Sequence, residues 1–235
     1  MVIDVPSLRH TIAADLRAQI TSGSLKAGER LPSEPRLAAD YKVSTPTLRN
    51  ALALLQAEGL IEKVHGKGNF IRSPLRRITY AGGGRMPFDP TLQVSIRTTN
   101  LRARGHLRAL LRVSSDSPLT EFLCVTHEGE SPHSLARIYV PRDLAPAAQL
   151  GFSGGPQGPE ATPTRIRETV TARLPTPEEA TTLRISSALA VLSITSVATD
   201  STDRVVEAAL LVLPGDRADA VFTTHPTTKE GETEG

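Results

Sequence analysis

The side chains best suited to chemistry in this sequence are hydroxyl, guanidinium and amide groups gathered near residue 47. Such groups make the hydrogen bonds that recognise phosphates and base edges in nucleic acids. They are Ser44, Thr45, Thr47, Arg49 and Asn50. Among and after them, Leu48, Leu52 and Leu55 recur at helical spacing. The spacing predicts a helix that buries its leucines and turns the polar group towards a partner.

A second helix is predicted immediately before the polar one. Ser33 can serve as its N-cap, and Glu34 places an acidic group at the positive end of the helix dipole. A tight turn at 42–44 joins the two helices, and the polar helix ends at Gly59. Two helices joined in this way form a helix-turn-helix, whose second helix presents its first residues to the major groove. The candidates for base contacts are therefore Thr45, Thr47 and Arg49.

Two short strands are predicted to follow, at 60–64 and 69–72. The turn between them contains Gly66 and Gly68, which can adopt the positive φ angles that a tight hairpin needs. Such a hairpin is a wing, and its turn would bring Lys67 to phosphate or to the minor groove. The complete set of predicted DNA contacts is Ser33, Arg36, Ser44, Thr45, Thr47, Arg49, Asn50, His65, Lys67 and Gly68.

Short segments in this half resemble the DNA-binding domain of the GntR family of bacterial transcription regulators. They are PSEPRLA at 32–38, VSTPTLR at 43–49 and LQAEGLIEKVHGKGNF at 55–70. Together with a predicted helix at 7–22, the resemblance covers about residues 8–72 and implies a winged helix-turn-helix that binds double-stranded DNA. The chain departs from the family pattern at Pro35 and Thr45, where the family has arginine. A winged helix can also serve only as a protein-interaction module, and this alternative stays open.

The sequence predicts two domains on either side of a linker. Prolines, a triple glycine and the absence of periodicity indicate the linker. We expect a winged helix-turn-helix domain at 1–74, the linker at 75–90, a second domain at 91–225 and a disordered tail at 226–235. In the second domain, apolar runs predict strands at 92–98, 119–126, 135–140, 166–174, 191–199 and 204–213, helices at 101–112 and 176–183, and a loop at 151–163.

The second domain resembles the UTRA ligand-sensing domain, which follows the DNA-binding domain in the HutC-like branch of the GntR family. The similar segments are PHSLARIYVP at 132–141, ARLPTPEEA at 172–180 and RVVEAALLVLPGDR at 204–217. The resemblance implies an antiparallel sheet with helices, similar to the chorismate lyase fold, and hence an α+β protein. It also implies a small-molecule pocket on the sheet and a homodimer formed partly through this domain.

Charged residues on the predicted strands are candidates for binding the small-molecule effector. They are Arg97, Arg137, Glu168 and Glu207. A charged side chain that faces a cavity can hold a ligand by charge-assisted hydrogen bonds, but each could instead face solvent or form a structural ion pair. In family members that sense phosphorylated sugars, arginines come from the strand before the hairpin turn, where this chain has Leu-Cys-Val-Thr at 123–126. The difference favours an effector with less charge than a sugar phosphate.

Charge and composition limit the remaining function classes. Through Arg77 the sequence has 12 Lys and Arg against 7 Asp and Glu, and the rest has 15 against 18, so the positive charge accompanies the DNA-binding half. We expect Arg72, Arg76 and Arg77 to gather with Arg49 and Lys67 on one side of this half. Cys124 is the only cysteine and lies in an apolar run, which indicates a buried thiol in a reducing cytosol. Neither a signal peptide nor a membrane-spanning run is evident, so we expect a cytoplasmic location.

The sequence contains no signature of a catalytic or cofactor site. Walker loops, dinucleotide fingerprints and nucleophile elbows are missing, and His127 and His133 lack the further ligands that a zinc site needs. We therefore expect no enzyme, no cofactor and no metal. The prediction is a homodimeric, effector-responsive repressor that binds a roughly palindromic operator. The alternatives are a repressor whose second domain only dimerises, and an enzyme similar to chorismate lyase.

Overall fold

The N-terminal domain consists of three helices and a two-stranded hairpin. The computed structural model describes residues 7–64, 66–73, 75–83, 91–145 and 163–223. Its first elements are α1 (Leu8–Thr21), α2 (Glu34–Asp40), α3 (Thr45–Ala57), β1 (Ile61–Val64) and β2 (Gly68–Ile71). Helices α1 and α2 both pack against α3. The arrangement confirms the predicted winged helix-turn-helix.

The apolar stripe of α3 explains why this domain folds as it does. Leu48, Leu52 and Leu55 are at most 2% exposed and meet Ile12 and Leu16 of α1 in one core. Burying a leucine side chain completely stabilises a fold by about 1.5–3 kcal/mol. The hydrophobic effect therefore fixes which side of α3 faces inward and leaves its polar side outward.

The two ends of α3 are closed as the sequence predicts. Ser44 is the N-cap, and its Oγ accepts a hydrogen bond from the backbone N–H of Thr47 at 3.3 Å. After Ala57 the chain leaves the helix through Gly59, whose φ of +74° favours glycine. Ser33 occupies the N-cap position of α2, but its side chain makes no capping bond, so the capping role predicted for its hydroxyl is wrong.

The hairpin pairs β1 with β2 in antiparallel register, with Ile61 opposite Ile71. The loop before α2 makes a contact that was not predicted, since Arg30 forms a bridge to Phe70. Leu31 N–H also donates to the carbonyl of Asn69 at 2.9 Å. This loop therefore stabilises the wing through backbone contacts to β2.

The second domain is built on a six-stranded antiparallel sheet, which we call the sheet domain. Its strand order is β4-β5-β6-β9-β8-β7. The strands are β4 (Gln93–Arg102), β5 (Pro118–Glu128), β6 (Ser131–Pro141), β7 (Arg165–Arg173), β8 (Val191–Thr199) and β9 (Val205–Pro214). Two short helices accompany them, α4 (Gly105–Leu111) and α5 (Pro177–Leu183). The mixture confirms the predicted α+β class.

The sheet has two differently covered faces. On the helix-covered face, Leu111 of α4 packs with Tyr139, and Leu183 of α5 packs with Leu135. On the strand-covered face, a parallel pair of short strands, β3 (Ile78–Tyr80) and β10 (Ala218–Ala220), packs on an apolar layer. That layer includes Cys124, Ala136, Ile194 and Leu211. Successive residues of a strand point to opposite faces, so strand position alone assigns each side chain to one of them.

Several local predictions for the sheet domain are wrong. Residues 78–80 were expected to lie in an irregular linker, but they form β3 with Tyr80 only 1% exposed. The first strand was expected to end at 98 but continues to Arg102, so the helix predicted at 101–112 is shortened to α4. Strand β10 was not predicted. Residues 84–90 of the predicted linker, nearly all of the loop at 151–163 and the tail at 226–235 lie outside the described residues.

Candidate nucleic-acid interface and ligand site

The outward side of α3 carries the predicted base-reading residues. Ser44, Arg49 and Asn50 are exposed, while Thr45 and Thr47 are half-buried. The N-terminal end of a helix has unpaired N–H groups and a positive dipole end, both of which attract phosphate. This end of α3 is therefore suited to approach a nucleic-acid backbone.

Arg49 is held in place by an acid from the neighbouring helix. Its Nε donates to Glu34 Oε2 at 2.6 Å, while 65% of the Arg49 side chain remains exposed. This is the only bond of the Arg49 guanidinium among the described residues, so its two terminal Nη groups can donate elsewhere. A guanidinium fixed through Nε and offering its Nη groups is suited to the acceptor edge of guanine. Glu34, predicted only as a helix-start residue, thus also orients Arg49.

Ser44 and Thr47 hydrogen-bond to each other. Their hydroxyl oxygens lie 2.8 Å apart, and Ser44 Oγ also accepts from the Thr47 N–H. Their first role is therefore to close the start of α3. A hydroxyl that is already paired can still accept from or donate to DNA, but its orientation is set by the cap.

The wing places a cation and a glycine at its turn. Lys67 is exposed there, and its N–H donates to the carbonyl of Val64 at 3.0 Å. Gly68 follows with a φ of +109°. His65, which the sequence analysis included, lies outside the described residues. Arg36 and Ser33 are exposed on or beside α2.

Arg30 is a cation beside the wing that the sequence analysis missed. It is exposed, and its Nε lies 3.4 Å from the position that a β carbon on Gly68 would occupy. The bridge that brings it there joins residues far apart in sequence, so no local pattern indicated it. Its position two residues before the PSEPRLA segment was the available signal.

Three arginines expected on the same side of the molecule belong elsewhere. Arg72 pairs with Asp216 at 2.7 Å and Arg77 with Asp219 at 2.6 Å. The backbone N–H of Arg76 donates to Glu128 at 2.9 Å. These arginines hold the N-terminal domain and β3 against the sheet domain, so the prediction that they join the basic DNA-facing surface is wrong.

The four candidate effector residues do not converge. Arg97 is paired with Leu123, which is paired with Arg137, so both arginines point to the helix-covered face. Glu168 is opposite Ser196 and Glu207 is opposite Ala198, which places both acids on the strand-covered face. The two arginines and the two acids therefore lie on opposite faces of the sheet, so no single pocket on one face includes all four candidates.

Arg137 forms a structural ion-pair cluster. It donates to Glu121 Oε1 at 3.2 Å and through its other terminal nitrogen to Glu178 of α5. Burial and the nearby Glu121 raise the pKa of Tyr139 to about 12. Because its bonds join β5, β6 and α5, Arg137 fits the ion-pair alternative better than a ligand role.

The strand-covered face brings together polar groups from four elements. Glu168 accepts from the Tyr80 hydroxyl and, at 3.3 Å, from the N–H of Gly83. Burial, together with the charge of Glu207, raises the pKa of the Cys124 thiol to about 11. The contact between Tyr80 and Glu168 was not predicted.

Comparisons with known proteins match both halves of the chain. The model of the bacterial regulatory proteins, gntR family, matches residues 8–71, and the UTRA domain matches residues 91–219. The chain belongs to the GntR family of transcriptional regulators. It carries a UTRA domain after the DNA-binding domain. Membership in a family of regulators confirms that it is not an enzyme.

Relatives with similar architecture are known from sequence and structure. The uncharacterized HTH-type transcriptional regulator RB1450 of Rhizobium meliloti is 29% identical over 226 residues, which is 90% of this chain and 92% of that one. PhnF from Mycobacterium smegmatis has a TM-score of 0.54 at 21% identity and covers 91% of this chain and 99% of its own. The effector domain of PhnF alone has a TM-score of 0.52 at 19% identity, over 63% of this chain and all of that domain. The structural likenesses concern the fold.

Within the described ranges, no group of three or more His, Cys, Asp or Glu side chains could hold a metal ion. None of the helices in the same residues is long and apolar enough to cross a bilayer.

Proposed function

We propose that this GntR-family regulator is a repressor that binds an operator through α3 and the wing. The observation that carries the proposal is the fixed, outward-facing Arg49, held at 2.6 Å by Glu34 on the polar side of α3. In this proposal the first turns of α3 enter the major groove and Arg49 reads a base edge, while Ser33, Arg36, Ser44 and Asn50 contribute contacts around it. Lys67 and Arg30 contact the flanking phosphates or the minor groove.

The regulator acts as a homodimer on a roughly palindromic operator. A two-fold axis turns two copies of α3 towards successive major grooves, so that each half-site is read by one protomer. Each protomer has few cations available for phosphates, because Arg72 and Arg77 pair with acids of the sheet domain. Two protomers together supply enough phosphate contacts for stable binding. Because these contacts are electrostatic, the affinity for DNA depends on the salt concentration.

The effector binds on the strand-covered face of the sheet. Glu168, Glu207 and Ser196 of this face come from three adjacent strands, and β3 lies over the same layer. From Ser196 this face continues across the central strands through Ala209 of β9, Ile138 and Ala136 of β6, and Phe122 and Cys124 of β5. None of these supplies a cation for a phosphate, which supports an effector that is less charged than a sugar phosphate.

The repressor proposal is tested with duplexes selected from a randomised pool by the purified full-length protein. We expect an enriched inverted repeat whose half-sites are spaced by about one helical turn or a multiple of it. A reporter promoter that carries the repeat should lose activity when the protein is expressed. An enriched sequence without symmetry contradicts the dimer, and increased reporter activity contradicts the repressor.

The effector proposal is tested by thermal denaturation with panels of uncharged sugars, amino acids and sugar phosphates. A compound that binds the native protein raises Tm by mass action. We expect the rise with a weakly charged compound, and its loss in Glu207→Gln but not in Glu178→Gln, which lies under the helix-covered face. Tight binding of a sugar phosphate in calorimetry contradicts the charge argument. The absence of a response to all three panels favours the alternative that the sheet domain only dimerises.

A further inference from the structure

A short loop after β9 connects the sheet domain to the N-terminal domain. It comprises residues 215–217, and we call it the junction loop. Its central residue, Asp216, contacts both the end of α3 and the residue that follows the wing. The Asp216 side chain therefore connects α3 and the wing with the sheet domain.

The Asp216 carboxylate accepts hydrogen bonds from two arginines. Its Oδ2 accepts from Arg72 Nη1 at 2.7 Å, and the same carboxylate accepts from Arg217 Nε at 2.8 Å and Nη2 at 2.9 Å. The side chains of Arg72, Asp216 and Arg217 are only 10%, 15% and 1% exposed. Burial and the neighbouring Arg217 lower the pKa of Arg72. Because two guanidinium groups are removed from water here, the carboxylate that pairs them is hard to replace.

The Asp216 side chain is packed against the C-terminal end of α3. A β carbon on Gly59 would lie 2.6 Å from Asp216 Oδ2 and 2.9 Å from Asp216 Cβ. Only a residue without a side chain permits this approach. A carboxylate is disfavoured at the negative end of a helix dipole, so the two arginines also offset the charge that Asp216 brings to this position. The contact between α3 and the loop therefore depends on the ion pairs.

The junction loop is anchored firmly on its other side. Arg217 Nη1 donates to the carbonyl of Pro132 at 2.8 Å, and the Arg217 carbonyl accepts from the N–H of Ile78 at 2.9 Å. Gly215 N–H donates to the carbonyl of Ala190 at 2.9 Å. The loop is thus tied to β6, to β3 and to the residue before β8. A movement of these strands would reach Asp216 without passing through a flexible segment.

We propose that Asp216 is a positioning residue that fixes α3 and the wing relative to the sheet, so that β9 and the DNA-contacting elements move together. β9 carries Glu207 of the effector face and ends immediately before the junction loop. If effector binding shifts β9, Asp216 transmits the shift to Gly59 and Arg72. This role rests on the proposed DNA-binding function.

The first test compares full-length Asp216→Asn with full-length Asp143→Asn under limiting trypsin. Asp143 also pairs with an arginine, Arg204, at 2.6 Å, but the pair is exposed and lies within the sheet domain. We expect cleavage at Arg72, Arg76 and Arg77, between the domains, to accelerate about tenfold in Asp216→Asn only, since proteolysis follows the population of opened molecules. Mass spectrometry of the first fragments separates this outcome from general unfolding, which would expose sites throughout the chain.

The second test measures DNA binding with a selected two-half-site duplex and its single half-site. Affinity for the half-site should stay within about twofold of wild type in Asp216→Asn, because α3 and the wing remain folded. The ratio of two-site to half-site affinity should change by at least about fivefold, because the two copies of α3 are no longer held at a fixed separation. Asp143→Asn should leave the ratio unchanged.

An unchanged ratio in Asp216→Asn, or unaltered cleavage between the domains, overturns the positioning role. An equal loss of affinity for both duplexes also overturns it, since that result indicates a damaged N-terminal domain. Failure of the wild-type protein to bind any selected duplex would instead contradict the proposed function, and the cleavage experiment would remain interpretable on its own.

Discussion

At the residue scale, the spacing of side chains indicated which side of α3 carries Arg49 but not which residue binds it. Helical periodicity placed Arg49 on the outer side of α3, where it is 65% exposed. Periodicity could not indicate that Glu34 of another helix holds its Nε, because that bond depends on how α2 and α3 cross. The pairing of the Ser44 and Thr47 hydroxyls is a local contact between residues three apart, and a cap at this end of α3 was predictable from the residue types.

Glu34→Gln tests whether the acid orients Arg49. We expect the ratio of specific to non-specific DNA affinity to fall by about fivefold, because a charge-assisted bond to Nε is weakened. In an Arg49→Ala background the same substitution should change the ratio little, and fluorescence anisotropy of the four proteins gives the coupling energy. Additive effects of the two substitutions would contradict the orienting role.

The Cys124 thiol should be unreactive in the native protein. It is buried, and its pKa of about 11 lies well above neutral pH, so at pH 8 the thiolate, which is the reactive form, is scarce. An aromatic disulfide reagent should therefore titrate no thiol until guanidinium chloride unfolds the chain, and then one. Rapid reaction under native conditions at pH 8 would contradict the burial of this residue.

At the element scale, elements with local sequence signals were predictable and the two three-residue strands were not. α3, β8 and α5 follow clear local signals such as leucine periodicity and the Thr176 capping box. β3 and β10 have three residues each and are stabilised by pairing with each other across most of the sheet domain. The alternation of Ile78 and Tyr80 was the only local sign of β3, and the glycines and prolines around it indicated a linker instead.

Ile78→Ala tests the correction that β3 is a core element. The Ile78 side chain is 5% exposed and packs in the apolar layer under the strand-covered face, so its truncation should lower the free energy of unfolding by about 2–5 kcal/mol. Thr79→Ala, at the exposed position between the two buried residues of β3, is the matched control and should have little effect. Equal stability of the two variants in urea titration would restore the linker interpretation.

Lys67→Ala tests the wing. A lysine that contacts phosphate should contribute equally to all sequences, so we expect weaker binding to specific and non-specific duplexes alike. The slope of log affinity against log salt should become shallower by about 1. Arg104→Ala removes an exposed cation of the sheet domain that pairs with Asp116 and should leave the slope unaltered. A larger loss of affinity for one DNA sequence than for others would mean that Lys67 contacts bases.

At the scale of the whole molecule, the charge count of the sequence overstated the basic surface. The N-terminal half has an excess of cations, but Arg72 is ion-paired with Asp216 of the junction loop and Arg77 with Asp219 of β10. Sequence position could not distinguish an arginine that faces DNA from one that joins domains. The Arg72–Asp216 pair connects the end of the wing with the loop after β9, whereas Arg77–Asp219 joins the residue before β3 to β10. Both arginines are therefore lost to DNA contact, and Arg72 is the one that links the two domains.

The most direct test of the account titrates wild-type and Arg49→Ala protein against the selected duplex and a set of its single-base-pair variants, at one salt concentration. We predict that wild type discriminates strongly at one symmetric pair of positions. Arg49→Ala should lose about 1–3 kcal/mol of binding free energy per contact on the selected duplex, together with the discrimination at those positions. If Arg49→Ala retains wild-type discrimination at every base pair, the polar side of α3 does not read the operator.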